Sequence, residues 1–217
     1  MIITIDGPDG AGKSTHVALL RDWLREEGVP CSIVSKWDVL DPDLHPEARF
    51  LRSADLSEFK ACVAEMPTPA RSLFIMWLYA ETVARASRLA DASLVVLDGF
   101  WMKHAAAELA YGCDAELMDA LVASMGDVDA VLYLDVTPEE ALRRKRGSLT
   151  PYECGRDAAR DPAKFLALQT AIRDRMRAWA ERDGWLCITT RSVDAAQREI
   201  RQLVRGLLAQ ERIVVGA

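Results

Sequence analysis

Residues 5–15, IDGPDGAGKST, constrain this chain more than any other stretch. Gly7-Pro8-Asp9-Gly10-Ala11-Gly12-Lys13-Ser14 fits the pattern G-x-x-x-x-G-K-[ST]. An apolar run, residues 2–6, precedes it. A helical pattern follows, with Val17, Leu19, Leu20, Trp23 and Leu24 at amphipathic spacing. Strand, glycine-rich turn and helix form the context in which such a loop cradles phosphate. The glycines let successive N–H groups turn inward, and the helix N-terminus adds partial positive charge. In that arrangement Lys13 reaches the β- and γ-phosphates of a nucleotide, and Ser14 ligates Mg²⁺. The loop names a phosphoryl donor and leaves the acceptor open.

Downstream, apolar runs alternate with helical patterns. Strands are expected at residues 31–35, 94–98, 130–135 and 185–189, and helices within 46–66, then at 72–89, 103–111, 115–125, 137–146, 161–183 and 193–208. Thr137-Pro138-Glu139-Glu140 is a helix start: a cap, a proline at the first turn and acids beside the positive helix end. Residues 213–215 are apolar and fall outside these patterns. Strands alternating with helices predict an α/β fold, a parallel sheet with helices on both faces. No repeat or linker interrupts the 217 residues, so one domain spanning 1–217 is expected.

Asp98 closes the run LVVLD and has the form of a second acidic residue at the Mg²⁺ site; a helix cap is the plainer alternative. Arginines crowd residues 143–177. Arg143, Arg146, Arg156 and Arg160 are candidates for a lid, at about 143–161, that neutralises charge on a moving phosphoryl group, and a solvated helix face is the alternative. The formal net charge of −6 does not favour a broad nucleic-acid face. No apolar run is long enough for a membrane span and no leader pattern opens the chain, so a cytoplasmic protein is expected. Five scattered cysteines without a CxxC pair argue against zinc or disulfides, and Cys31 and Cys187 are expected to be buried in strands.

The GPDGAGKST loop, the LVVLD strand, the VTPEEALRRKR helix and the lid with its following helix together resemble the thymidylate kinases, P-loop kinases of nucleoside monophosphates. The resemblance runs from Ile2 to about Leu208. It implies a P-loop NTPase-type five-stranded parallel sheet with an arginine-rich lid, and ATP and Mg²⁺ as cofactors. Gly7, Gly10, Ala11, Gly12, Lys13, Ser14 and Thr15 would hold the ATP phosphates, with Ser14 and Asp98 at the metal. It also implies that Asp9 organises the acceptor sugar, that Arg191 contacts adenine, that the catalytic arginines come from the lid, and that a homodimer is possible.

Departures from the family pattern fall on the acceptor side. The family follows the strand-three aspartate with an arginine that holds the acceptor phosphate; here the pair is Asp98-Gly99. A family arginine that reads the base is matched by Leu78, and a family tyrosine after the lid by Met176. Arg71, Arg52 or Lys103 are alternative sources of positive charge. The acceptor side is expected to draw on Asp9, Lys36, Trp37, Arg71, Phe74, Asp98, Phe100 and Trp101, the aromatic residues serving either to stack on a ring or simply as core. The acceptor is then a pyrimidine deoxynucleotide or a close relative. The alternatives are a hydroxyl acceptor (a nucleoside, a hydroxymethylated pyrimidine in DNA or a small metabolite) and a nucleotide-binding switch without kinase activity.

Overall fold

The computed structural model describes residues 1–51, 55–91, 93–145, 147–189 and 192–215, with side chains as far as residue 210. Five strands, β1 (Ile2–Asp6), β2 (Cys31–Val34), β3 (Leu94–Asp98), β4 (Ala130–Leu134) and β5 (Leu186–Ile188), form one sheet in the order β2-β3-β1-β4-β5. Every pairing is parallel. Eight α-helices are described: α1 (Lys13–Glu26), α2 (Leu56–Glu65), α3 (Thr68–Ala90), α4 (Trp101–Ala110), α5 (Ala115–Ala123), α6 (Pro138–Lys145), α7 (Pro162–Asp183) and α8 (Val193–Val215). Short 3₁₀ turns span Lys36–Leu40, Pro46–Leu51 and Tyr152–Cys154.

Successive strand residues point to opposite faces, and both faces are apolar, as a sheet covered on both sides requires. Val95, Leu97, Val131 and Tyr133 face a core built with α2, α3, α4 and α7. Ile3, Ile5, Val96 and Leu132 face a second core built with α1 and α8. This is the α/β sheet expected from the alternation of patterns.

Helix starts follow their capping residues. The Asp114 side chain accepts from Leu117 N–H at the head of α5, and Asp161 accepts from Ala163 N–H at the head of α7, with Pro162 next. Strand five is shorter than its apolar run, and α8 continues through the apolar tail to Val215. Cys187 is exposed rather than buried, because β5 is a three-residue edge strand whose opposite neighbour, Ile188, takes the covered face; Cys31 is half-buried. No described helix is long and apolar enough to cross a membrane.

Candidate active site

The phosphate loop leaves β1 at the centre of the sheet and enters α1. Gly10 has φ +82°, and a Cβ there would lie 3.0 Å from the Ala141 carbonyl oxygen, so both backbone and space demand glycine. Gly12 caps α1 in the left-handed region without a side-chain bond. Among the described residues no acceptor takes the N–H groups of Gly10, Gly12, Lys13, Ser14 and Thr15. A row of unpartnered amides at a helix N-terminus is an anion nest. Lys13 Nζ lies across it, donating to the Gly7 carbonyl at 2.7 Å and to Pro8 at 3.0 Å.

Strand order supplies what the sequence could not. β3 lies beside β1, with Ile5 opposite Asp98, so the LVVLD carboxylate ends next to the loop. Ser14 Oγ donates to Asp98 Oδ2 at 2.9 Å. A hydroxyl and a carboxylate, both hard oxygen donors open to solvent, fit Mg²⁺, which keeps waters and takes phosphate oxygens as its other ligands. Asp6 closes the floor: its Oδ1 accepts from Gly7 N–H at 2.7 Å and its Oδ2 from Phe100 N–H at 3.2 Å, and burial raises its pKa.

Three lysines converge on this end of the sheet: Lys13 from α1, Lys36 after β2 and Lys103 from the first turn of α4. Lys103 Nζ lies 3.0 Å from Asp9 Oδ1. Burial pushes the Asp9 carboxyl up, but Lys103, Lys13 and the Lys103 hydrogen bond outweigh it and hold Asp9 ionised. Gln169, buried on α7, accepts from Asp9 N–H at 3.1 Å and steadies the loop from the other side. Lys36 is only 8% exposed and has no hydrogen bond or carboxylate partner among the described residues. Its ammonium sits 4.7 Å from the Trp37 ring centroid and 5.2 Å from that of Tyr79. Burial, then Lys103 and Lys13, lower its pKa to about 7. His104 Nδ1 lies 2.7 Å from the Tyr79 hydroxyl, and burial followed by Lys103 keeps that imidazole neutral.

Other acceptor-side candidates lie elsewhere. Arg71 is fully buried, with Nε and Nη2 on the Glu108 carboxylate at 2.8 and 3.0 Å and Nη1 on the Met66 carbonyl. Ser72 and Tyr152 hydroxyls also donate to Glu108. Arg71 is therefore a core ion pair in this structure and not an open cation. Phe100 is buried, edge-on against Tyr79, and Trp101 is half-buried against Trp179. Trp37 and Phe74 join a half-buried aromatic wall through Phe59. Leu78 and Met176 are fully buried core residues. Gly99 has φ +78°, a backbone that an arginine there would adopt only under strain.

Part of the arginine-rich segment expected as a lid packs against α3 and Tyr111. Arg156 donates to Thr68 Oγ1 at 3.1 Å and covers the Tyr111 ring at 5.1 Å, and Tyr111 donates to the Tyr152 carbonyl. Arg156 and Arg160 both have positive φ, a strained backbone for arginine. Arg160 is exposed. Arg143 is exposed too and forms a 2.7 Å pair with Glu140 one turn back; its neighbour Arg144 shares that carboxylate at 2.7 Å and also reaches the Ala11 carbonyl at 3.1 Å. Arg144, Thr137, Asp135, Arg173 and Thr189 line a cleft of about 210 Å³ beside the loop. Arg52, Arg146 and Arg191 lie outside the described residues.

Arg144, Gln169, Glu108 and Tyr152 were not among the sequence candidates. Gln169 left a signal: it interrupts the apolar stripe Phe165, Ile172, Met176 of α7, and a buried polar residue on such a stripe needs a partner.

A phosphate loop at the centre of a five-stranded parallel sheet, with an acidic partner on the adjacent strand, is the architecture of a P-loop nucleotide kinase. Curated proteins carry the comparison further. A thymidylate kinase of Oleidesulfovibrio alaskensis is 32% identical over 199 residues, covering 83% of this chain and 84% of that protein. A probable thymidylate kinase of Archaeoglobus fulgidus is 30% identical over 159 residues, 70% of this chain and 74% of its own length. A thymidylate kinase of Chlorobium chlorochromatii is 35% identical over 152 residues, 66% of this chain and 64% of that protein. The chain belongs to the thymidylate kinase family. No family model matches it.

Proposed function

We propose that the protein transfers the γ-phosphoryl group of Mg²⁺-bound ATP to a pyrimidine deoxynucleotide or a close relative. The observation that carries this is the nest of unpartnered amides with Lys13 across it and the Ser14–Asp98 pair beside it. Bound Mg²⁺ would neutralise charge between the β- and γ-phosphates. Ser14 and Asp98 would hold it. The loop amides and Lys13 bind and orient the donor, with Lys13 leaving the Gly7 and Pro8 carbonyls for phosphate oxygens. Asp9, ionised and fixed by Lys103 and Gln169, orients the acceptor sugar. Lid arginines (Arg143, Arg146, Arg156, Arg160) approach the transferring group when ATP is present, and Arg191 contacts its adenine. Arg144 joins this set on the strength of its bond to Ala11.

Lys36 and Lys103 supply the positive charge that family arginines give elsewhere. Both are buried lysines at the loop, and Lys36, which makes no hydrogen bond or ion pair among the described residues, can take up a proton as an anion arrives. That favours an acceptor carrying its own phosphate. The losses at Gly99 and Leu78 favour the second reading, a hydroxyl acceptor, with free small molecules preferred over nucleic acid in either case. In this proposal the chain works in the cytoplasm as one domain, 1–217, with its lid at about 143–161. A homodimer would form through the outer edge of α3, where Leu73 is exposed and Trp77 meets Phe50, itself 70% exposed. Labelled ATP with pyrimidine monophosphates tests the reading: Lys13→Ala should abolish transfer, and turnover unchanged in that variant would refute it.

A further inference from the structure

His45, Glu47 and Glu81 converge away from the phosphate loop. His45 is buried, and its Nδ1 lies 3.3 Å from Glu47 Oε1 and 3.8 Å from Glu81 Oε2. All three potential ligand atoms fall within 4.8 Å of one another. The residues come from two places: His45 and Glu47, two positions apart at the start of the 3₁₀ turn Pro46–Leu51, and Glu81 in the middle of α3. Two carboxylates brought together from different elements repel unless a cation or a proton lies between them.

The geometry suits a metal. Zn–N and Zn–O bonds of about 2.0–2.2 Å in a tetrahedron put neighbouring ligand atoms roughly 3.3–3.6 Å apart. The observed separations bracket that edge. One imidazole and two carboxylates are a donor set for zinc and its neighbours rather than for Mg²⁺ or Ca²⁺, which take oxygen alone. Glu47 is exposed and Glu81 half-buried, which leaves an entry path and a position for water.

We propose that His45, Glu47 and Glu81 bind one divalent transition-metal ion of the zinc type. On binding, the His45 imidazole gives its Nδ1 lone pair and keeps a proton on Nε2, and the two carboxylates bind in their ionised form. The bound ion clips the segment 36–51, which carries Lys36 and Trp37, to α3, which carries Phe74 and Tyr79. Metal supply would thereby tune how firmly the acceptor side is held.

The test is calorimetric titration of chelator-treated full-length protein with Zn²⁺ in excess Mg²⁺, which occupies the Ser14–Asp98 site. One equivalent should bind, and Glu47→Gln and His45→Ala should each weaken it by at least about tenfold. Co²⁺ should give the visible bands of a tetrahedral site in the wild type and not in the variants. Glu47 is exposed, so Glu47→Gln keeps the fold if the buried His45→Ala does not. Absence of Zn²⁺ binding, or affinity unchanged in Glu47→Gln, would overturn the proposal. No turnover is measured, so the outcome is separate from that of the kinase reading.

Discussion

Replacing Lys36 with methionine should stabilise the protein while weakening acceptor binding. Lys36 is 8% exposed and ringed by Trp37 and Tyr79, with Lys103 and Lys13 adding repulsion. Its pKa falls from 10.5 to about 7 in the folded state. Below pH 7 both states are protonated, and the fold carries the full burden of a buried cation. Between pH 7 and 10.5 the unfolded chain binds the extra proton, so stability climbs with pH; above that range the effect is complete. A shift of that size corresponds to about 5 kcal/mol. Lys36→Met removes the burden, so urea unfolding near pH 6 should report a gain of a few kcal/mol that shrinks toward zero by about pH 10. A variant less stable than wild type near pH 6, or a difference independent of pH, would refute the reasoning. A linked result concerns binding. At pH 8 about nine-tenths of Lys36 is neutral, so an anionic acceptor should draw close to one proton from buffer in the wild type and less in Lys36→Met. Calorimetry in buffers of different ionisation heats reads that uptake directly.

Three further outcomes follow from the same geometry. Glu108→Gln leaves the Arg71 charge buried without its counterion and should cost about 3–5 kcal/mol in urea unfolding; a loss under about 1 kcal/mol would contradict the burial argument. Asp98→Asn should raise the Mg²⁺ concentration for half-maximal turnover while ATP binding without metal stays near wild type; an unchanged Mg²⁺ profile would remove Asp98 from the metal site. Gly10→Ala, forced into φ +82° and against the Ala141 carbonyl, should lose about 1–3 kcal/mol of stability and much of its ATP affinity, read by thermal unfolding with and without nucleotide.

The strand–loop–helix unit was legible because it is contiguous. Strand, loop and first helix turn are neighbours in the chain, and each glycine had a local reason. Asp98 needed more: its nearness to Ser14 depends on β3 pairing with β1, which no run of residues states. The acceptor half draws on residues far apart. Lys103 and Asp9 are separated by 94 positions, and Gln169 by 160 from the same aspartate. Arg71 read as an available cation because its partner lies 37 residues away on another helix. Among the lid arginines, one position decided the contact. Both Arg143 and Arg144 pair with Glu140, but about 100° of helix rotation leaves Arg143 in solvent and lets Arg144 also reach the Ala11 carbonyl of the phosphate loop. A charge count cannot distinguish them.

The acceptor is the central question, and one measurement addresses it most directly. Labelled ATP and Mg²⁺ are supplied with a panel of pyrimidine deoxynucleoside monophosphates, nucleosides, hydroxymethylated pyrimidines and oligonucleotides, and the radioactive product is identified. The account predicts a labelled pyrimidine deoxynucleoside diphosphate that disappears with Lys13→Ala. Label appearing only on a nucleoside or oligonucleotide hydroxyl, or ATP bound with no phosphorylated product at all, would contradict it.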